Sequence, residues 1–217
     1  MAPPANPKRP APRLYLVTPP AGEAGPSAAA IAEAARAADA AAVLLRLAPA
    51  AERDLINLIK AIASAVQPTG AALVLDGHAD IAARAGADGA HLTGIAAFTA
   101  AVESLKPARI AGCAGLKTRH DAMLAAERGA DYVMFGEPEA SGQRPSFEAI
   151  VERIEWWAEL FEVPCVGYAQ SPDEVERLAA AGADFVAVGE WVWTDPQGPA
   201  KAAAAAAGRL AKAGAEA

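Results

Sequence analysis

Gly129-Ala130-Asp131-Tyr132-Val133-Met134-Phe135-Gly136 is the stretch on which the architecture turns. An alanine-rich helical pattern runs into Gly129, and a glycine can end a helix in the left-handed conformation that other residues resist. The apolar run after Asp131 has the length of a buried strand. The same joint occurs at Gly86-Ala87-Asp88 before Gly89-Ala90-His91-Leu92, and at Gly182-Ala183-Asp184 before Phe185-Val186-Ala187-Val188-Gly189. A helix stop followed by a strand start, used three times, marks a repeated α/β architecture.

Working outward, strand-length apolar runs fall at 14–18, 42–47, 72–76, 89–92, 109–113, 132–135, 164–168 and 185–188. Helical patterns lie between most of them, at 27–38, 52–66, 80–85, 96–104, 118–128, 146–161, 171–181 and 199–213. Ser171-Pro172-Asp173-Glu174 reads as a helix start, with a hydroxyl at the N-cap, proline at the first helical position and Glu174 placed to return a hydrogen bond. Thr118-Arg119-His120-Asp121 is a weaker version. Strands alternating with helices imply a parallel sheet with right-handed crossovers. Eight units in a chain of 217 residues favour a single closed (β/α)8 barrel. An open doubly wound sheet is the alternative, but the first turn, Thr18-Pro19-Pro20-Ala21-Gly22, lacks the dinucleotide-binding glycine pattern.

Composition sets the limits. Hydrophobic residues make up 53% and charged residues 21%, as in a globular protein, and the net charge of -7 argues against nucleic acid as partner. No apolar run approaches the roughly 20 residues of a membrane span. Residues 1–12, with prolines at 3, 4, 7, 10 and 12, read as an extended, disordered tail without a signal-peptide core, and 214–217 as a short C-terminal tail, leaving 13–213 to the barrel. Cys113 and Cys165 sit in separate apolar runs and read as reduced core thiols of a cytoplasmic protein. Neither they nor the scattered His78, His91 and His120 have zinc-site spacing.

A barrel places its chemistry at the carboxyl ends of the strands. Those positions are Thr18, Arg46, Asp76 with His78, His91 with Thr93, Cys113 to Lys117, Gly136 with Glu137, Tyr168 with Gln170, and Gly189 with Glu190. Asp76 is a candidate base or metal ligand, or else a loop acid capping the next helix. Lys117 is a candidate catalytic cation, or a Schiff-base amine if desolvated, and otherwise a solvated lysine at a helix start. Arg46 either binds an anion or pairs with Asp76 or Glu190. His91 reads as structural, His78 as a loop histidine, His120 as an outer-helix residue and Cys113 as inert packing. Trp191 and Trp193 either wall a pocket or plug it. The neighbours Trp156 and Trp157 point about 100° apart on one helix, so one of them is expected to be partly exposed or at a subunit contact, which makes a homodimer possible.

The order of these motifs resembles a known superfamily. Leu14-Tyr15-Leu16-Val17-Thr18, then Asp80-Ile81-Ala82 leading into Gly86-Ala87-Asp88-Gly89-Ala90-His91-Leu92, then Gly129-Ala130-Asp131-Tyr132-Val133, then Gly182 to Val188, are similar to thiamine phosphate synthase and its sister, the thiazole tautomerase. The resemblance spans roughly residues 13 to 212 and implies a small (β/α)8 barrel of thiamine biosynthesis. The synthase of this family joins a pyrimidine diphosphate to a thiazole phosphate and releases pyrophosphate, helped by magnesium, lysines and arginines.

Against that pattern the chain departs at most of the site. Where the family has Gln-x-Arg-x-Lys, Leu44-Leu45-Arg46-Leu47-Ala48 keeps only the arginine. Asp76-Gly77 stands for Asn-Asp, and Thr93-Gly94-Ile95-Ala96-Ala97 holds no carboxylate, so both magnesium ligands are missing and no metal site is expected. Gly115-Leu116-Lys117 replaces the fifth strand's Ser and His, with Lys117 at the tautomerase's histidine. Gly136-Glu137-Pro138-Glu139 and the residues up to Arg144 replace Thr-x-Thr-Lys. Ala169-Gln170 replaces the Gly-Gly phosphate turn, and Glu190 a serine. Each such loss costs several kcal/mol of transition-state stabilisation, at a factor of ten per ~1.4. The expectation is a synthase-like barrel stripped of its standard mechanism. Asp76 and Lys117 are its candidate catalytic residues, and Arg46, His78, Gly189 and Glu190 the candidate contacts for a small phosphorylated or heterocyclic ligand. A non-catalytic binding barrel, or a divergent tautomerase, is the alternative.

Overall fold

Eight parallel strands close on themselves in sequence order, β8 pairing with β1. This is a computed structural model, and it describes residues 10–139 and 141–216. The strands are β1 (Arg13–Val17), β2 (Ala42–Leu45), β3 (Ala72–Asp76), β4 (Gly89–Thr93), β5 (Ile110–Ala114), β6 (Tyr132–Phe135), β7 (Cys165–Ala169) and β8 (Phe185–Val188). The helices are α1 (Ala28–Ala37), α2 (Glu52–Val66), α3 (Ala79–Ala85), α4 (Ile95–Leu105), α5 (Arg119–Glu127), α6 (Phe147–Leu160), α7 (Pro172–Ala180), α8 (Glu190–Trp193) and α9 (Pro199–Glu216). The open-sheet alternative is therefore excluded. The four-residue α8 and a 3-10 turn at Gln67–Thr69 were not anticipated, and α9 continues to Glu216, where a tail was expected. The expected N-terminal tail lies outside the described residues up to 9, and residues 10–12 form neither helix nor strand.

The repeated joint has a job for each of its residues. Gly86, Gly129 and Gly182 take φ values of 76°, 92° and 96°, ending α3, α5 and α7. The aspartate two residues on then closes the base of the barrel. Asp88 accepts from the Leu73 N–H at 2.7 Å, Asp131 from Ala111 at 2.7 Å and Asp184 from Cys165 at 2.8 Å. In each case the aspartate's own N–H donates to the carbonyl of that same residue. Each carboxylate thus pairs a backbone donor near the start of a neighbouring strand, a group that would be costly to bury alone. A variant of the joint precedes β2. Asp39 holds the left-handed position at φ 45°, and Ala41 donates to the Leu14 carbonyl without a carboxylate to return the bond.

The helix starts correct one expectation. Thr118 and Asp121 form the full capping box of α5, with both bonds at 3.0 Å. Ser171 makes no capping bond. Glu174 accepts instead from the Gln170 N–H at 2.7 Å and from Arg144, so an ion pair with the β6–α6 loop has taken its carboxylate.

Strand alternation sorts the core into two shells. Leu14, Leu16, Val43, Leu45, Leu73 and Leu75 pack outward against the helices. Tyr15, Val17, Leu44, Val74, Tyr132, Met134 and Tyr168 fill the barrel interior. Glycine makes room for the tyrosines. A Cβ at Gly112 would lie 2.1 Å from the Tyr132 ring, and one at Gly189 would lie 2.2 Å from the Tyr168 hydroxyl. Continuing the inward parity upward brings Arg46, Asp76, His91 and Thr93 to the inner face near the carboxyl end.

Candidate functional site

A chain of side-chain hydrogen bonds climbs the inside of the barrel to its mouth. The Tyr15 and Tyr132 hydroxyls lie 2.7 Å apart, and the Tyr132 hydroxyl is 2.7 Å from His91 Nδ1. His91 Nε2 is 3.2 Å from one Glu137 oxygen. Arg46 donates through one terminal nitrogen to the other Glu137 oxygen at 2.7 Å, and through Nε to Asp76 at 3.2 Å. The Arg46 N–H also donates to the buried Thr18 hydroxyl at 3.1 Å. Strand register supplies the geometry: Asp76 of β3 sits opposite His91 of β4, and Glu137 follows β6 by two residues.

Electrostatics fixes the direction of this ladder. Burial works against ionisation of Glu137, but the bonds from His91 and Arg46 outweigh it and hold the carboxyl below its usual range. An ionised carboxylate only accepts, so the His91 Nε2–H donates to Glu137. Burial raises the Tyr15 and Tyr132 hydroxyls well above ordinary phenols, with Glu137 and Asp76 adding to the effect. Burial alone would lower Arg46, yet Glu137, Tyr168 and Asp76 together raise it. The guanidinium is thus neutralised by two carboxylates.

Above the ladder opens a cavity of about 870 Å³. Among the described residues, Asp76, Glu137, Glu139 and Glu190 line it with a single cation, Arg46, and Tyr168 and Trp191 form apolar walls. The Trp191 indole donates to the Ala169 carbonyl at 3.1 Å, which holds it at the mouth. Trp193 donates to the Val17 carbonyl at 2.7 Å and lines a separate cleft beside Pro19 and Pro20. Trp191 therefore walls the pocket and Trp193 lies outside it. A second cavity of about 320 Å³ opens between the β5–α5 and β6–α6 loops, with Lys117, Arg144 and Arg153 on its rim.

The anticipated residues scatter. Asp76 and Arg46 meet; Arg46 takes Glu137, not Glu190, as its second acid, and Asp76 does not cap α3. Lys117 is 81% exposed and 3.9 Å from Glu139, so it lacks the desolvation a Schiff-base lysine needs. His78 is an exposed residue at φ 46° ahead of α3, without a side-chain cap and outside the mouth lining. Gly189 is buried beneath Tyr168, and Glu190 is exposed at the rim. Cys113 is fully buried, its thiol pushed up to about 12 by burial, in keeping with inert packing. His120 is exposed on α5. Trp157 is buried and donates to Val163, while Trp156 is partly exposed under the Arg119 guanidinium. The site reading missed Tyr15 and Tyr132, placed Glu137 and Tyr168 at strand ends without assigning either a role, and gave His91 only a structural one. The available signal was parity: large polar rings at inward strand positions facing glycines.

A magnesium ion prefers near-octahedral oxygen coordination at about 2.1 Å. Asp76 already faces a guanidinium, both Glu137 oxygens are bonded, and Thr93-Gly94 offers no carboxylate. The residues do not fit the ion.

A family model described as thiamine monophosphate synthase matches residues 14–192. A thiamine-phosphate synthase of Rhodospirillum centenum is 38% identical over 195 residues, spanning 88% of this chain and 94% of the relative. One of Hyphomonas neptunium is 34% identical over 205 residues, spanning 89% and 91%. Among solved structures, a thiamine phosphate pyrophosphorylase from Pyrococcus furiosus superposes with a TM-score of 0.77 at 22% identity, covering 93% of this chain and 96% of that one. A 3-hexulose-6-phosphate synthase gives 0.70 at 18%, covering 90% and 99%, a likeness of fold alone.

Proposed function

The chain belongs to the thiamine monophosphate synthase family, and from that premise we propose that it serves thiamine metabolism in the cytoplasm without the family's metal-assisted expulsion of pyrophosphate. It holds a small heterocyclic ligand at the mouth of the barrel. The observation that carries this reading is the double clamp on Arg46. The one family cation kept on the second strand is tied to Asp76 and Glu137, and both Glu137 oxygens are already bonded. Pyrophosphate at the mouth would meet four acids against one neutralised guanidinium, and like charges repel.

The test is a turnover assay of the full-length protein with a pyrimidine diphosphate, a thiazole phosphate and magnesium. The expected rate is at least about 10³-fold below the roughly 10 s⁻¹ of an ordinary enzyme. Formation of thiamine phosphate at an ordinary rate overturns the proposal.

A second reading is proton transfer of the tautomerase type. The Glu137–His91 pair favours it, because Glu137 reaches the mouth and is backed by a hydrogen-bonded ladder. The bonds that hold Glu137 ionised also make it a weak base, which places this reading second.

A further inference from the structure

We infer that the mouth of the barrel selects a flat organic cation, with its ring against Trp191 and its charge toward Glu190 and Glu139. This rests on the reading above, that no metal-bound pyrophosphate occupies the mouth, and it names the chemistry that does.

Three observations converge. The cavity of about 870 Å³ is large enough for a heterocycle and has aromatic walls in Tyr168 and Trp191. Its charge is unbalanced in one direction. Asp76 and Glu137 share Arg46, whereas the Glu190 carboxylate makes no hydrogen bond or ion pair among the described residues, and Glu139 has only the solvated Lys117 at 3.9 Å. The third observation is the filling of a would-be anion cup. The Tyr168 hydroxyl takes the space above Gly189, and α8 is one turn long, too short to bring a useful dipole to bear. A cation gains from the free acids and from an indole face, while a phosphate gains from neither.

The discriminating experiment uses two probes that differ by one methyl group and one charge: 4-methyl-5-(2-hydroxyethyl)thiazole and its N-methylthiazolium salt. Isothermal titration of the full-length protein is expected to show the thiazolium binding at least about tenfold tighter than the neutral thiazole. Raising salt from about 0.02 M to about 0.5 M should shrink that ratio, because exposed charges are screened. In Glu190→Gln the thiazolium should lose about three- to fivefold and the neutral ring should be unchanged. Equal affinity for the two probes, binding of neither, or tighter binding of inorganic pyrophosphate overturns the inference. Turnover of the family substrates with the cation still preferred would defeat only the proposed function. Absence of turnover with the neutral ring preferred would defeat only this inference.

Discussion

The base and the mouth of this barrel both depend on carboxylates, and they use them in opposite ways. At the base, Asp88, Asp131 and Asp184 each accept from one backbone N–H near the start of a strand, the same bond three times. At the mouth, Asp76, Glu137, Glu139 and Glu190 follow no repeat, and two of them converge on one arginine. The base is a structural device that repeats with the fold. The mouth is a particular arrangement of charge, and it sets what the barrel can hold.

Breaking the mouth should have the larger effect on stability. Arg46→Ala leaves Glu137, whose side chain is 8% exposed, with His91 alone, and leaves Asp76 unpaired. Stripping one partner from a buried pair costs about 3–5 kcal/mol; with Arg46 partly exposed we expect about 2–4, measured by urea denaturation. The effect should depend on pH in a defined direction. The folded value of Glu137 is depressed, so its contribution is complete above the ordinary 4.5 and is lost as pH falls through the lower folded value. The gap between wild type and Glu137→Gln should therefore narrow as pH falls below 4.5. A gap that widens in acid would mean the carboxyl is held protonated.

At the base, Asp184→Ala removes the carboxylate that accepts from the Cys165 N–H and should cost about 1–3 kcal/mol, with Asp184→Asn recovering part of it through the amide oxygen. Equal losses in both variants would show that charge, not acceptance, is what matters there. The smallest effect separates two helix starts of similar sequence. Thr118→Ala should cost about 1 kcal/mol, and Ser171→Ala close to nothing, because only the former hydroxyl caps its helix. Equal costs would contradict the capping geometry.

The base could be read from sequence because its information is local: a glycine that stops a helix and the apolar run that follows are neighbours in the chain. What the aspartate binds was not readable, since its target lies 15 to 20 residues back across the sheet. The joint at Asp39 escaped notice because an aspartate, not a glycine, takes its left-handed position. At the mouth, Arg46, Asp76 and Glu190 were placed correctly at strand ends by parity and order. The pairing of Arg46 with Asp76 was among the expected alternatives, but the longer-range partners were not, since Arg46 meets Glu137 across 91 residues and Tyr15 meets Tyr132 across 117. Ser171 misled for a related reason: the carboxylate that should have completed its cap is drawn away by Arg144 from another loop.

Isothermal titration of the full-length protein with pyrophosphate in excess magnesium probes the altered mouth without requiring turnover. No saturable heat up to about 1 mM ligand is expected, a Kd weaker than about 4 kcal/mol of binding free energy corresponds to. Saturation at micromolar concentration would contradict it, because the mouth would then hold the diphosphate in spite of its acidic lining.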